Sequence, residues 1–431
     1  MLLAGLAFAA VLSGCGTSDN DSSGGSSGGG STDLTTFNTG CDWHKIFQSG
    51  DNFYALADTA AEYWVAVGPS SPAAGTTIRI QGQYADARYL SLQVYDGSLV
   101  LDDALADYQI DPDSGASNPF LAPTRVSSTV QPGGAYTAHV AFTAKPAVGA
   151  AANTLYRGDV STVSDAQTRR TLLIYRIYVP ASGKSPDGGV GLPKLTLVGA
   201  DGTETPLSQT GDSANCNALY QNFTNIYTGK TANPHPGAPP QTNNPPKLNV
   251  YYTSALNPGQ LVNANIAYMS AGVTHDDGEL FIVRGKAPSF TSQDGAPATP
   301  DLRFWSLCQN EYPSQFVDGC VSDYQANLDS GGYFNVVVSS SSKRPSNATA
   351  ANGFNWLPWA SGDPGLITYR HMLPQSLFLQ AIQNVPKGIG PGLTMGNYYP
   401  QVTYCTKSVF ESAAGQTPAQ IFAACSSASG G

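Results

Sequence analysis

The 431-residue chain carries 21 Lys and Arg against 31 Asp and Glu, a formal charge of −10, and only 12% charged residues in all. That balance sets the counterion term against nucleic acid or an anionic membrane face, so neither is expected as its main partner. No cofactor fingerprint follows any strand-like run, and the cysteines lack the close C-x-x-C pairs of a zinc site, so no cofactor and no metal are expected.

The chain opens "MLLAGLAFAAVLSGCG". A short apolar run, small residues and then Cys15 form the pattern of a bacterial lipoprotein signal, too short to span a bilayer. Residues 1–14 are read as a removable signal peptide and Cys15 as the lipidated residue; several acyl chains would make a durable membrane anchor. No Lys or Arg precedes the apolar run, which leaves room for a start codon upstream. Thr17 stands where an inner-membrane retention signal would place Asp, which favours the outer membrane or cell surface.

Residues 15–36, rich in Gly and Ser, cannot bury enough surface to offset their ordering entropy and are read as a flexible tether reaching about 25 Å. A first β-sandwich domain is expected over 37–232, a Pro-rich linker over 233–247, a second sandwich over 248–404 and a helical tail over 405–431. Six cysteines remain besides Cys15: Cys41, Cys216, Cys308, Cys320, Cys405 and Cys425. Outside the cytoplasm an even count implies disulfides, with fifteen connectivities open. Proximity favours Cys308–Cys320 and Cys405–Cys425, which leaves Cys41 for Cys216.

Runs such as "TIRIQGQY", "RYLSLQVY", "YTAHVAF", "TLLIYRIYV", "ELFIVRG" and "YFNVVVS" alternate or stay apolar over five to nine residues, between Gly, Pro, Asp and Asn. This is strand chemistry, and many such strands predict a mainly β fold, an antiparallel sandwich of jelly-roll type. Helical expectations are few: 54–67, 373–385 and 417–427, the last with Thr417 as cap and Pro418 in the first turn.

The two halves read as one unit written twice. "DYQIDPDSG" (107–115) matches "DYQANLDSG" (323–331) at six of nine positions. Around this pair, Gly82 answers Gly285, Arg88 answers Arg303, "AYTAHVAF" (135–142) faces "GYFNVVVS" (332–339), and "LLIYRIYVP" (172–180) faces "LITYRHMLP" (366–374). Five blocks in one order predict two tandem duplicated domains. Asp107, Tyr108, Asp323 and Tyr324 are therefore scaffold positions. Asp111 and Asp113 are read as turn formers rather than calcium ligands, since neither copy supplies the further oxygens and late Glu of such a loop. Arg88 and Arg303 are expected to pair with Asp107 and Asp323, or with Asp159 and Asp363. Arg176 and Arg370, set in apolar strands, are expected at a sheet edge or against an acid.

At "NWLPWASGDPGLITYRHMLP" (355–374), and again at "RFWSLCQNE" (303–311), the chain resembles a bacterial family of uncharacterised secreted jelly-roll-like domains with an Asn-Trp-Leu-Pro motif. The match covers roughly 265–375 and, more weakly, the first copy, which keeps Asn153 and Leu155. The resemblance implies a β-sandwich outside the cytoplasm and carries no catalytic residues.

No G-x-S-x-G run stands as a nucleophile elbow between a strand and a helix, and H-E-x-x-H is missing from the sequence. Two places differ between the copies. "THDDGE" (274–279) gathers His275, Asp276, Asp277 and Glu279 into an expected hairpin turn, where paired carboxylates could serve as acid and base on a polymer. The second is His371 with Trp356, Trp359 and Tyr369, an aromatic set that could stack a sugar or form core. The reading favoured is a lipid-anchored envelope protein that binds a glycan, another ligand or an envelope protein without catalysis. The alternative is a secreted hydrolase of a glycan or polyester using the carboxylates or His371; a purely structural envelope component is the third.

Overall fold

The computed structural model describes residues 40–47, 56–126, 134–165, 168–207, 216, 218, 242–251, 261–291, 299–312, 316–359 and 362–429. The segments expected to be signal peptide and tether, Cys15 among them, and most of the expected linker lie outside these residues.

In chain order the strands of the first half are β1 (Cys41–Phe47), β2 (Ala61–Gly68), β3 (Thr77–Gln83), β4 (Ala87–Asp96), β5 (Leu101–Ala106), β6 (Phe120–Ala122), β7 (Arg125–Val126), β8 (Ala135–Ala141), β9 (Thr154–Tyr156), β10 (Thr171–Pro180), β11 (Lys194–Val198) and β12 (Glu204–Pro206). The second half supplies β13 (Asn249–Tyr251), β14 (Ile266–Val273), β15 (Leu280–Lys286), β16 (Leu302–Glu311), β17 (Val317–Ser322), β18 (Tyr333–Ser339), β19 (Asn355–Pro358), β20 (Gly365–Pro374) and β21 (Gln401–Cys405). Helices are short: α1 (Pro391–Met395), α2 (Lys407–Ser412) and α3 (Pro418–Ala428). The fold is mainly β, built as β-sandwiches.

One strand order serves twice. The sheet β1-β2-β10-β4-β5 has its counterpart in β13-β14-β20-β16-β17, and the strands β11-β3-β8-β9 have theirs in β21-β15-β18-β19. Pairing is antiparallel except at the equivalent places β8–β9 and β18–β19, which are parallel. Register agrees as well: Arg176 lies opposite Ser91 and Tyr63, and Arg370 lies opposite Ser306 and Tyr268. The register also corrects the expected alignment of 135–142. Gly82 faces Tyr136 while Gly285 faces Phe334, so Tyr136 corresponds to Phe334, one residue along from the match read in the letters. A one-residue slip exchanges the two faces of a strand, so the correction decides which side chains are core.

Burial explains why some strands alternate and others do not. β8 alternates between half-buried and buried residues, having one face in the core. β4, β10, β16 and β20 are buried almost throughout. Their inner faces, with Leu90, Leu92 and Tyr175 in one copy and Trp305, Leu307 and Tyr369 in the other, fill the two sandwich cores. Their outer faces, with Tyr89, Tyr95, Ile174 and Tyr178 on one side and Phe304 and Met372 on the other, join in a third core between the copies. The two large sheets therefore pack against each other.

The same double burial overturns the helical expectation at 54–67. Ala61–Gly68 is β2, a strand with all eight residues buried and hydrogen-bonded on both sides by β1 and β10. A strand covered on both faces shows no alternation, so its apolar run mimics a buried helix. The expectation at 373–385 fails too: the segment is a series of turns with one 3-10 turn at Ile382–Asn384. At its start Leu373 takes a φ of +44°, as Val179 takes +50° at the equivalent end of β10. That left-handed backbone, one residue before each strand ends, is incompatible with a right-handed helix starting there. α3 forms as expected, with Thr417 and Gln420 closing a reciprocal capping box. Three disulfides close Cys41 to Cys216, Cys308 to Cys320 and Cys405 to Cys425.

Candidate functional site

The repeated Asp-Tyr-Gln motif is a cap and a clasp. In the first copy Asp107 accepts the backbone N–H of Leu90 (3.0 Å) and of Tyr108 (2.7 Å), while the Gln109 amide oxygen accepts that of Ala106 (3.0 Å). In the second, Asp323 accepts from Trp305 (3.1 Å) and Tyr324 (2.7 Å), and Gln325 from Ser322 (3.4 Å). Each carboxylate then takes a guanidinium from the opposite copy: Arg303 donates to Asp107 at 3.0 Å and Arg88 to Asp323 at 2.6 Å. All four side chains are buried. Burial pushes both carboxyls up, Asp323 to about 6, against the downward pull of the guanidinium beside each. Of the two pairings expected from sequence, the structure takes Asp107 and Asp323. Asp159 instead caps a 3-10 turn through Ser161, and Asp363 accepts from Thr274.

Arg176 and Arg370 also reach across. Arg176 donates to the Leu261 carbonyl (2.8 Å) and Arg370 to the Leu56 carbonyl (2.6 Å), neither at a sheet edge. Arg370 has Asp58 at 3.7 Å, and Ser306 donates to the same carboxylate. Asn263 takes the corresponding place in the second copy, where it accepts from Gln93 at 2.7 Å. The Asp-Ser-Gly turns are tied in a parallel way, since Asn153 accepts from Asp111 N–H and Asn355 from Asn327 N–H. Asp113 accepts from Thr137, and Asp329 accepts from Arg284 at 2.6 Å, which with its backbone bonds holds its carboxyl below the usual range against burial.

Away from this shared scaffold the second copy carries a cleft of about 410 Å³ between β17, β19 and the 340–354 connection. Cys320, Val321, Asn327, Phe354 and Trp356 line it, with Arg344 on its wall. The Trp356 indole N–H donates to Ser339 Oγ at 3.0 Å, which fixes the ring, and the Arg344 guanidinium sits 4.5 Å from the ring centroid. The amide of Asn355 is spent on Asn327 and Asn335, so it stiffens the wall rather than facing a ligand. Thr154 holds the Trp356 position in the first copy, as the β8–β9 and β18–β19 registers show.

The other sequence candidates fall in different places. Tyr369 and His371 are wholly buried core residues. His371 Nδ1 accepts from Ile382 N–H (3.2 Å), which leaves Nε2 to donate to the Tyr369 hydroxyl (2.8 Å). Burial lowers the imidazole pKa to about 3, so it is neutral at ordinary pH. Trp359 is buried, with His275 stacked on it at 4.0 Å. Residues 274–279 do not make a hairpin, because β14 and β15 lie in different sheets and the turn passes between them. There Glu279 is held below its ordinary pKa by Lys343 (2.6 Å) and by Lys407 N–H (2.8 Å). Asp277 accepts from Asn244, and Asp276 is exposed. Among the described residues His371 makes no hydrogen bond or ion pair with these carboxylates; its ring bonds to Tyr369 and Ile382. Only Trp356 of the whole set lines the cleft.

Sequence reading missed two groups. Arg344 is one. The other is Asp102, partly buried beside Arg157 (3.0 Å) and pushed to about 7 because desolvation outweighs that cation.

No protein-family model matches the chain, and no curated protein matches it. Among solved structures it is similar to an uncharacterised protein from Burkholderia cenocepacia, with a TM-score of 0.49 and 14% identity over 86% of this chain and 82% of that one. It is also similar to a protein from Vibrio parahaemolyticus, with a TM-score of 0.38 and 10% identity over 81% of this chain and 89% of that one. A partial N-terminal region of an enterococcal surface protein matches at a TM-score of 0.19 and 12% identity, over 82% and 88% of the two chains.

Proposed function

We propose that the chain is a non-catalytic binding protein of the bacterial envelope, anchored by lipid at Cys15, whose second copy holds a ligand in the Trp356 cleft. The observation that carries this reading is the asymmetry of the two copies. Their clasp, caps and registers are shared, so those residues serve architecture. Trp356 and Arg344 are not required by that architecture, as the first copy folds the same way with Thr154. An aromatic face fixed on the wall of an open cleft is what a sugar ring or similar flat apolar face lies against. The acid–base alternative loses support because Glu279 is tied to Lys343 and His371 is sealed in the core.

The test uses the full chain with Cys15→Ser, presented to an immobilised panel of polysaccharides and envelope polymers. Binding by this protein that is lost in Trp356→Ala at unchanged melting temperature is the expected result. Silence across the panel, or binding indifferent to Trp356, would sink the cleft reading. For the anchor, palmitate label should appear in the wild-type chain and vanish in Cys15→Ser; label retained without Cys15 would contradict it.

A further inference from the structure

From the charge environment of Arg344 we infer that the cleft selects a carboxylated saccharide, an inference that rests on the reading of the cleft as the binding site. The first copy also carries a cation before a proline in the corresponding connection. Lys145, in the β8–β9 connection and followed by a proline, pairs with Asp103 of β5 at 2.7 Å. Arg344, in the β18–β19 connection and likewise followed by a proline, has no carboxylate partner among the described residues. The reason lies in the register. Asp103 stands opposite Val94 on β4, and the matching position, opposite Gln309 on β16, is Gly319. The second copy has lost the acid and gained an indole under the cation.

The neighbouring Lys343 does not fill the gap, since Glu279 occupies it at 2.6 Å. The other polar side chains on the wall are engaged: Asn355 by Asn327 and Asn335, and Gln325 by Ser322 N–H. Arg344 is therefore the cleft's uncommitted charged donor, held over Trp356 and exposed to solvent. A planar guanidinium stacked on an aromatic ring keeps its N–H edge free for a two-pronged bond to a carboxylate. Ala348 and Phe354 close the floor of the cleft from the core, so the apolar contact left for a pyranose is the exposed edge of Trp356. A sugar ring bearing a carboxylate meets both halves of the site.

The experiment measures binding of oligogalacturonate, and of the same oligomer reduced at its carboxyls to neutral galactose units, to the full chain with Cys15→Ser at low salt. At least tenfold tighter binding of the acidic oligomer is expected. Arg344→Gln should erase that preference, while Trp356→Ala should weaken both ligands. Gly319→Asp should act like Arg344→Gln by restoring the first copy's acid. An added Cβ there comes within 3.3 Å of the Leu357 side-chain tip, a contact a small shift relieves, so the variant should fold. Equal binding of the acidic and neutral oligomers, indifferent to Arg344, would overturn the inference and leave the cleft reading standing. Equal binding of a sulfated neutral glycan would overturn the carboxylate. Binding of none of these probes would overturn the inference, whereas the fate of the cleft reading is decided separately by the wider panel and Trp356→Ala.

Discussion

Arg303 and Asp107, 196 positions apart in the chain, form a wholly buried ion pair between the two copies, and Arg88 and Asp323 form its mirror. Each copy lends an arginine and receives one. This is the geometry of a two-fold interface, in which residue i meets j and j meets i, here built within one chain. Taking such charges out of water is expensive, and burial raises both carboxyls accordingly. The backbone N–H groups of Leu90, Tyr108, Trp305 and Tyr324 supply the further hydrogen bonds that offset this cost.

His371 makes stability fall in mild acid. Its folded pKa is lowered to about 3 from 6.5, so between those values the unfolded chain binds a proton that the native one refuses. The contribution is therefore whole above pH 6.5 and is lost as pH falls toward 3. At pH 5 the part already lost amounts to about 2 kcal/mol. Urea unfolding at pH 7 and pH 5 should show that excess loss in the wild type relative to His371→Gln, a comparison in which Asp323 and other titrating groups cancel. The same loss in both proteins would refute the assignment.

Gly285 and Gly82 are kept small by the ring opposite each. A Cβ on Gly285 would lie 2.7 Å from the Phe334 ring, and one on Gly82 would lie 2.6 Å from the Tyr136 hydroxyl. Gly285→Ala should cost about 1–3 kcal/mol by overpacking. Adding Phe334→Leu should recover part of that loss, so the double variant is more stable than the two single effects summed. Strict additivity in chemical denaturation would show that the ring does not cause the constraint.

The disulfides should differ in what they contribute. In the loop-closure treatment the 12-residue separation of Cys308 and Cys320 is worth about 3 kcal/mol, and the 175-residue separation of Cys41 and Cys216 about 5. The first copy carries Gln93 and Ala104 at the positions of Cys308 and Cys320, so its sheet forms without that bridge. Cys308→Gln with Cys320→Ala should fold, and should lower the melting temperature less than Cys41→Ala with Cys216→Ala. The reverse order by calorimetry would contradict this ranking.

Much of the architecture was legible in the letters, because repetition and strand alternation are local signals. β8 declares its single buried face by alternation, and the matched Asp-Tyr-Gln segments mark themselves as scaffold. β2 was misread as helical because a strand covered on both faces loses its period. The sequence named Asp107 and Asp323 as partners of the arginines, yet identical motifs carry no sign that pairing runs between copies. His371 could have been placed in the core from its counterpart Ile177, an apolar residue in an equivalent strand. Arg344 was invisible for another reason: what distinguishes it is a missing acid at Gly319, and only the β16–β17 register shows that Gly319 stands in Asp103's place.

The claim that one module was used twice and locked crosswise is tested most directly by a double-mutant cycle on Asp107 and Arg303, read by urea denaturation. Asp107→Asn or Arg303→Met alone should each cost about 3–5 kcal/mol, since each leaves an uncompensated buried group. The double variant should lose clearly less than their sum, giving a coupling energy of at least about 1.5 kcal/mol across the two copies. Coupling indistinguishable from zero would mean the halves do not meet through this pair, and the crosswise architecture would be wrong.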